Sequence, residues 1–251
     1  MTRAVSPTLA DCELTYRPRD PINVADAIAE HASYEETLRS LGATVVRAPA
    51  EPTLPDAVFV EDAALVLDEV AVITRPGAPT RRGEIESLAN VLSVYRPLLR
   101  IQAPGTLDGG DVLRVGRTLY VGLSSRTNGA GVSQLEALLK QWCYEVIPVA
   151  VSGCLHLKSA VTQVAEHMLL INPRLVPAEC FAPLELIAVA PAEPDGGNAL
   201  WIGPAVIYPA HYPATRERLE RAGVRVVPVP GSELAKAEGG VTCCSVVFEM
   251  A

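Results

Sequence analysis

The feature that most constrains this chain is a repeated order of short segments: an apolar run, a tight turn, a second apolar run, a polar loop carrying arginine, an amphipathic stretch and a closing apolar run. Ala63–Leu67, Asp68-Glu69 and Val70–Thr74 begin one copy, led in by Asp56–Val60. Asp111–Val115, Gly116-Arg117 and Thr118–Gly122 begin another, and Asn198–Ile202, Gly203-Pro204 and Ala205–Tyr208 a third. Each pair of runs predicts a β-hairpin. A fainter copy runs from His156–Lys158 through Met168–Ile171 to Leu186–Val189. Self-similarity at this spacing points to an array of supersecondary units that bury their faces against one another.

The stretches after the hairpins carry a helical period. Ile85, Leu88, Ala89 and Leu92 mark one face of Arg82–Leu92; Val132, Leu135, Leu138 and Leu139 mark one face of Gly131–Trp142; Thr215–Ala222 is the third helix. Val146–Val149 and Val224–Pro228 predict the closing strands. The N-terminus offers a helix over about Ala25–Leu41 and a strand over Ala43–Arg47, with no clear hairpin before them beyond Arg3–Val5. Val241–Phe248 predicts the strand that this incomplete unit lacks. The expectation is therefore an α/β fold: about five ββαβ-like units in a ring, closed by the last strand. Closure of this kind leaves no exposed edge. A linear α/β sheet competes, but βαβ units would need single strands between helices rather than hairpins. In a ring, loops from every unit meet at one axial cavity.

The 251 residues are 49% hydrophobic, enough for a large core in one domain, expected to span 1–251, or in two. A formal net charge of −8, with lysines and arginines scattered, argues against nucleic acid or an anionic membrane as partner. No run has the length of a signal peptide or a membrane span, which places the protein in the cytoplasm. Six cysteines without a C-x-x-C pair exclude a disulfide scaffold and a structural zinc site. Of the four histidines, His31, His167 and His211 read as solvated or structural.

Glu238-Gly239-Gly240-Val241-Thr242-Cys243-Cys244 lies close to the C-terminus. On a strand Cys243 and Cys244 would point to opposite faces, so one faces the core and the other elsewhere. A thiol beside flexible glycines suits a nucleophile; a buried structural cysteine is the competing reading. The converging loops would add Asp56, Glu61 and Asp62; Arg81 and Arg82; Asp108 and Asp111; Arg126; and His156, set between two leucines. Taken singly these are ordinary surface or core residues. Their recurrence at one repeat position is what argues for a site. Cysteine, histidine and carboxylate supply a nucleophile, a proton shuttle and an orienting partner. Further carboxylates suit a cation and two arginines a carboxylate, which together fit a substrate with a cationic head and an amino acid tail.

Six motifs, in order from about residue 50 onward, resemble the dimethylarginine dimethylaminohydrolase family of the guanidine-modifying pentein superfamily. They are Asp56-x-Val58-Phe59-Val60-Glu61-Asp62, Thr74-Arg75-Pro76-Gly77-Ala78-x-x-Arg81-Arg82, Leu107-Asp108-Gly109-Gly110-Asp111, Val121-Gly122-Leu123-Ser124-x-Arg126-Thr127-Asn128, Leu155-His156-Leu157-Lys158-Ser159 and Thr242-Cys243-Cys244-Ser245. The resemblance implies a five-bladed α/β propeller around a central active site. It also implies hydrolysis of N-methylated arginine to citrulline and a methylamine through a covalent thiouronium on Cys243. His156 is then the proton shuttle, and Asp108 the acid that orients it. Glu61 and Asp62 match residues near the guanidinium, Asp56 the partner of the α-amino group, and Arg81 and Arg126 those that hold the α-carboxylate. Leu14, in the lid, and the carbonyl of Ala237 fall at the amino acid end. No metal or other cofactor is implied, and a homodimer is left open.

The match departs from the family pattern in the lid, Leu14–Ile22, which carries two prolines and two arginines here. Asp108 is shorter than the glutamate of some relatives. An arginine deiminase or another guanidine-modifying hydrolase is the nearest rival, and a non-catalytic binding member is a more distant one. The long members carry inserts for which 251 residues leave no room.

Overall fold

The computed structural model describes residues 1–250. After a 3₁₀ turn at Leu9–Asp11, helix α1 spans Val24–Ser40, its N-terminus capped by Asn23, whose side chain accepts from the N–H groups of Ala25 and Asp26. Twelve strands then form four three-stranded sheets among the described residues. They are β1 (Ala64–Val66), β2 (Ala71–Ile73) and β3 (Leu98–Arg100); β4 (Val112–Val115), β5 (Thr118–Leu123) and β6 (Glu145–Ala150); β7 (Val161–Ala165), β8 (Met168–Ile171) and β9 (Glu185–Ala188); and β10 (Leu200–Ile202), β11 (Ala205–Pro209) and β12 (Val226–Val229). In every sheet the first two strands form an antiparallel hairpin and the third lies parallel to the second. Gly116 and Gly203, at φ 59° and 52°, make two of the hairpin turns in the left-handed region that matches strand twist.

Helices α2 (Ile85–Leu92), α3 (Gly129–Leu139) and α5 (Pro213–Arg221) occupy the crossovers of three units. As the period required, α2 buries Ile85, Leu88, Ala89 and Leu92 against Ala64, Val66, Ala71 and Ile73. The cores also join neighbouring units: Val72 of β2 and Val121 of β5 share a cluster with Leu135 and Leu139 of α3. The faint copy has no crossover helix, only a 3₁₀ turn at Ala178–Phe181. Pro173, Pro177 and Pro183 remove the N–H donors a helix there would need. Phe181 instead packs on Tyr120, ring centroids 5.0 Å apart. Two short helices complete the chain, α4 (Leu157–Ala160) and α6 (Ser232–Lys236). No helix among the described residues is long and apolar enough to cross a membrane.

The strand expected over Val241–Phe248 is not formed. Residues 241–244 are a turn and residues 245–250 have no regular structure. Other acceptors take the amides there: Asn198 Oδ1 takes the Thr242 N–H at 3.1 Å, and Thr242 O takes the Ser245 N–H at 3.3 Å. The strand expected over Ala43–Arg47 is likewise reduced to a parallel bridge between Thr2 and Arg47. Even so, both ends meet. Val246 N–H donates to Met1 O at 2.9 Å, and Thr2 N–H donates to Val46 O at 2.9 Å.

Candidate active site

Each unit enters its first strand through a turn, and the turns close a hydrogen-bonded circuit. The Glu61 N–H donates to Cys243 O at 3.2 Å, and the Gly110 N–H to Asp62 Oδ1 at 2.9 Å. The Leu157 N–H donates to Asp111 Oδ1 at 2.9 Å. Asn198 Nδ2 donates to Lys158 O at 2.9 Å and to Thr242 Oγ1 at 3.0 Å. Residues 61–62, 108–111, 156–158, 198 and 242–243 are thus tied side by side, although nearly the whole chain separates the first from the last.

A narrow cavity of about 10 Å³ opens on this circuit. Its walls include Cys243, His156, Asp62, Asp56, Arg81, Arg126 and Ala237, all singled out from the sequence, and also Glu13, Phe59, Leu155, Glu238 and Gly239. The thiol and the imidazole therefore share one pocket. His156 Nε2 lies 3.0 Å from Asp108 Oδ2 and 3.8 Å from Asp62 Oδ1. Asp108 is fully buried behind it, its Oδ1 accepting the Gly77 N–H at 2.9 Å. Gly110 is needed here: a Cβ would stand 2.6 Å from His156 Nδ1 and 2.7 Å from Asp62 Oδ1.

Burial works against a charge on His156, but Asp62, the hydrogen bond to Asp108 and the charge of Asp111 outweigh it and raise the imidazole to about 9. Burial drives the Cys243 thiol up to about 12, with Glu61 and Asp62 adding to the rise. Near neutral pH the pocket thus pairs a thiol with an imidazolium. Asp62 is also buried, yet His156 and Arg81 keep it below the usual carboxylate range. Asp111 is raised to about 6 by burial; its oxygens accept from Ser124, Thr127 and the Leu157 N–H, pinning the start of α4 next to His156.

The two arginines differ. Arg81 is 5% exposed and spends its donors on protein: Asp62, both oxygens of Glu84, and the carbonyls of Asp56 and Phe59. Arg126 donates only to Thr15 Oγ1, at 3.0 Å, and has no carboxylate partner among the described residues. It is the more available cation for an anionic ligand. Asp56 keeps a buried carboxylate on the same cavity, raised by burial, with Oδ2 accepting the Glu13 N–H at 3.1 Å.

Glu61 and Leu14 do not reach the cavity wall. Glu61 turns to Lys158 Nζ and to Thr242 Oγ1, 2.7 Å away, on the opposite side of the circuit. Leu14 packs on the apolar cluster around Val58 and Leu234. The expectation that Cys243 and Cys244 point apart also fails. In a turn rather than a strand, both line a larger neighbouring cavity of about 390 Å³ with Tyr34, Tyr212 and His211. Glu84 was the residue most open to earlier notice, three positions after Arg81 on a helical turn. Asp62, Asp108 and His156 offer donor atoms within 4.8 Å of one another, as a metal would need, but the Arg81 guanidinium beside Asp62 and the charged imidazole oppose a cation there.

Two family descriptions match the chain: "N,N dimethylarginine dimethylhydrolase, eukaryotic" over residues 15–180 and "Arginine deiminase" over residues 182–249. The N(G),N(G)-dimethylarginine dimethylaminohydrolase of Pseudomonas aeruginosa is 37% identical over 226 residues, covering 89% of each chain. The protein of that name from Streptomyces coelicolor is 37% identical over 247 residues, covering 98% of this chain and 95% of its own. A mutant of the Pseudomonas aeruginosa enzyme complexed with citrulline superposes with a TM-score of 0.94 at 35% identity, covering 98% and 97% of the two chains. A cyanobacterial arginine dihydrolase domain shares the fold, with a TM-score of 0.86 at 20% identity over 98% of this chain and 96% of its own.

Proposed function

The chain belongs to the dimethylarginine dimethylaminohydrolase family, and from that premise we propose that it hydrolyses N-methylated arginine to citrulline and a methylamine through a covalent adduct on Cys243. The observation that carries this is the shared pocket of Cys243 and His156, walled by Asp62 and backed by Asp108.

The guanidinium enters between Asp62 and the thiol. Its positive charge offsets the acids that hold the thiol up, so Cys243 loses its proton to solvent once substrate is bound. The thiolate forms a bond to the guanidinium carbon. His156, charged in the free enzyme, donates its proton to the substituted nitrogen, and the C–N bond breaks to release dimethylamine or methylamine. The remaining S-alkylthiouronium is attacked by water as the now neutral His156 takes a proton from it. Collapse expels sulfur with a proton and leaves citrulline, with His156 charged again. Asp108 holds the imidazole in place throughout. Positioning of this kind can lower a barrier by about 7–11 kcal/mol.

At the other end of the substrate, Arg126 takes the α-carboxylate, and Arg81, with most donors engaged, contributes at most a single N–H. Asp56 and the Ala237 carbonyl take the α-ammonium, with Leu14 close by. Glu61 acts from behind, through its charge and its backbone bond to Cys243. The circuit of five turns, and the pairing of both termini beside Arg47, support a five-bladed propeller in one domain whose fifth blade is reduced to a few bonds.

The arginine deiminase match over residues 182–249 favours one second reading, release of ammonia from unsubstituted arginine. Turnover of dimethylarginine, monomethylarginine, arginine and agmatine, followed as citrulline or carbamoylputrescine, separates the two. Methylated arginines as the preferred substrates uphold the proposal, and preference for arginine overturns it.

A further inference from the structure

The segment that would cover the cavity is tied down by one side chain that the chemistry does not use. Glu238 stands at φ 58°, a backbone conformation an L-residue adopts only when its surroundings repay the strain. Its Oε2 accepts the Thr15 N–H at 2.9 Å, and its Oε1 accepts the N–H groups of Tyr16 at 2.6 Å and Arg17 at 2.7 Å. Three consecutive amides are thus satisfied by a single carboxylate on the cavity wall. Thr15 in turn receives Arg126 Nη2 at 3.0 Å, so the cavity's unpaired arginine rests on the segment that Glu238 holds.

The alternative fastenings are weaker or lie elsewhere. Arg17 meets Asp195, but the two side chains are 38% and 59% exposed, and exposed pairs contribute little. Arg19 braces the loop against itself, on the carbonyls of Ala10 and Cys12. Lys236 and Glu233 hold only its far end, at Pro21 and Asn23. Charge-assisted bonds such as those to Glu238 are roughly twice as strong as neutral ones.

We propose that Glu238 is a positioning residue that latches Thr15–Arg17 over the amino acid end of the site and, through Thr15, sets the pose of Arg126 for the substrate's α-carboxylate. This rests on the proposed reaction for its meaning, but not for its geometry. Opening the lid would release Arg126 from Thr15 as the ligand leaves, so Glu238 governs substrate retention rather than bond making.

The test pairs amide hydrogen exchange of the free enzyme with steady-state kinetics of Glu238→Ala and Glu238→Gln. In Glu238→Ala, exchange at residues 15–17 rises at least about tenfold at an unchanged melting temperature. KM for dimethylarginine rises about tenfold while kcat stays within about threefold, a loss of binding common to ground and transition state. Glu238→Gln, which keeps one acceptor oxygen, falls between. The wild-type preference for dimethylarginine over its decarboxylated analogue shrinks in both variants. Unchanged exchange in Glu238→Ala overturns the latch, as does a fall in kcat with KM unaltered. The exchange arm reads the free protein, so it decides the latch even if dimethylarginine proves not to be the substrate.

Discussion

Replacing Asp108 with Asn should make His156 lose its proton at lower pH than in the wild type. The imidazole is raised from 6.5 to about 9 against a burial effect that alone would lower it. Asp108 contributes both a 3.0 Å hydrogen bond and a buried charge, alongside Asp62 and Asp111. Asparagine keeps the shape and removes the charge, so the midpoint should fall, while Asp62 and Asp111 still hold it above that of a neutral site. A group whose folded pKa is raised stabilises the fold fully below its unfolded value of 6.5, and that contribution is lost as pH rises through about 9. Wild type should therefore lose more stability between pH 6.5 and 9 than the variant does, while kcat of the variant at pH 8 should fall by about 10²-fold. Titration of the ring by NMR, with His156→Gln to assign the resonance, reads the midpoint directly. A wild-type midpoint near 6.5, or one that Asp108→Asn leaves in place, would refute the reasoning.

Arg81→Met should destabilise the fold by about 3–5 kcal/mol because it strands the buried carboxylates of Asp62 and Glu84. Arg126→Ala should alter stability by less than about 1 kcal/mol, since it breaks one hydrogen bond, while raising KM for dimethylarginine by about 10²-fold; urea unfolding with parallel kinetics separates the two, and equal destabilisation contradicts the contrast. Cys243→Ser should abolish citrulline formation while Cys244→Ser retains it, although burial raises both thiols; equal losses would mean the nucleophile is misassigned. His31 is buried with Nε2 unpartnered and its pKa lowered by burial, so the unfolded chain takes up its proton first. Stability should fall as pH drops below about 6.5, and His31→Phe should flatten that part of a urea-midpoint profile.

The hairpins and crossover helices were legible because their periods are local: Ile85, Leu88 and Leu92 mark a buried face wherever the helix is placed. That Cys243, His156 and Asp62 would line one pocket was legible because loops from every unit were expected to converge. Less could be read where the outcome depends on competition between backbone and side chains. Val241–Phe248 has strand composition, yet Asn198 takes the Thr242 amide and the Ser245 amide turns back to Thr242 O. Arg81 and Arg126 look alike in sequence, and only the placement of Glu84 and Asp62 separates a committed guanidinium from an available one. Glu238 gave no signal, because its role depends on a left-handed backbone and on amides more than two hundred positions away. The outward turn of Glu61 depends on Lys158, a partner that neither period nor motif spacing could assign.

The covalent step at Cys243 is tested most directly by mass spectrometry of enzyme quenched in acid during turnover of dimethylarginine. The expected result is an amidino adduct of the amino acid confined to the peptide carrying Cys243, with dimethylamine released before citrulline appears. Citrulline accumulating while Cys243 stays unmodified, or the adduct forming on Cys244, would contradict it.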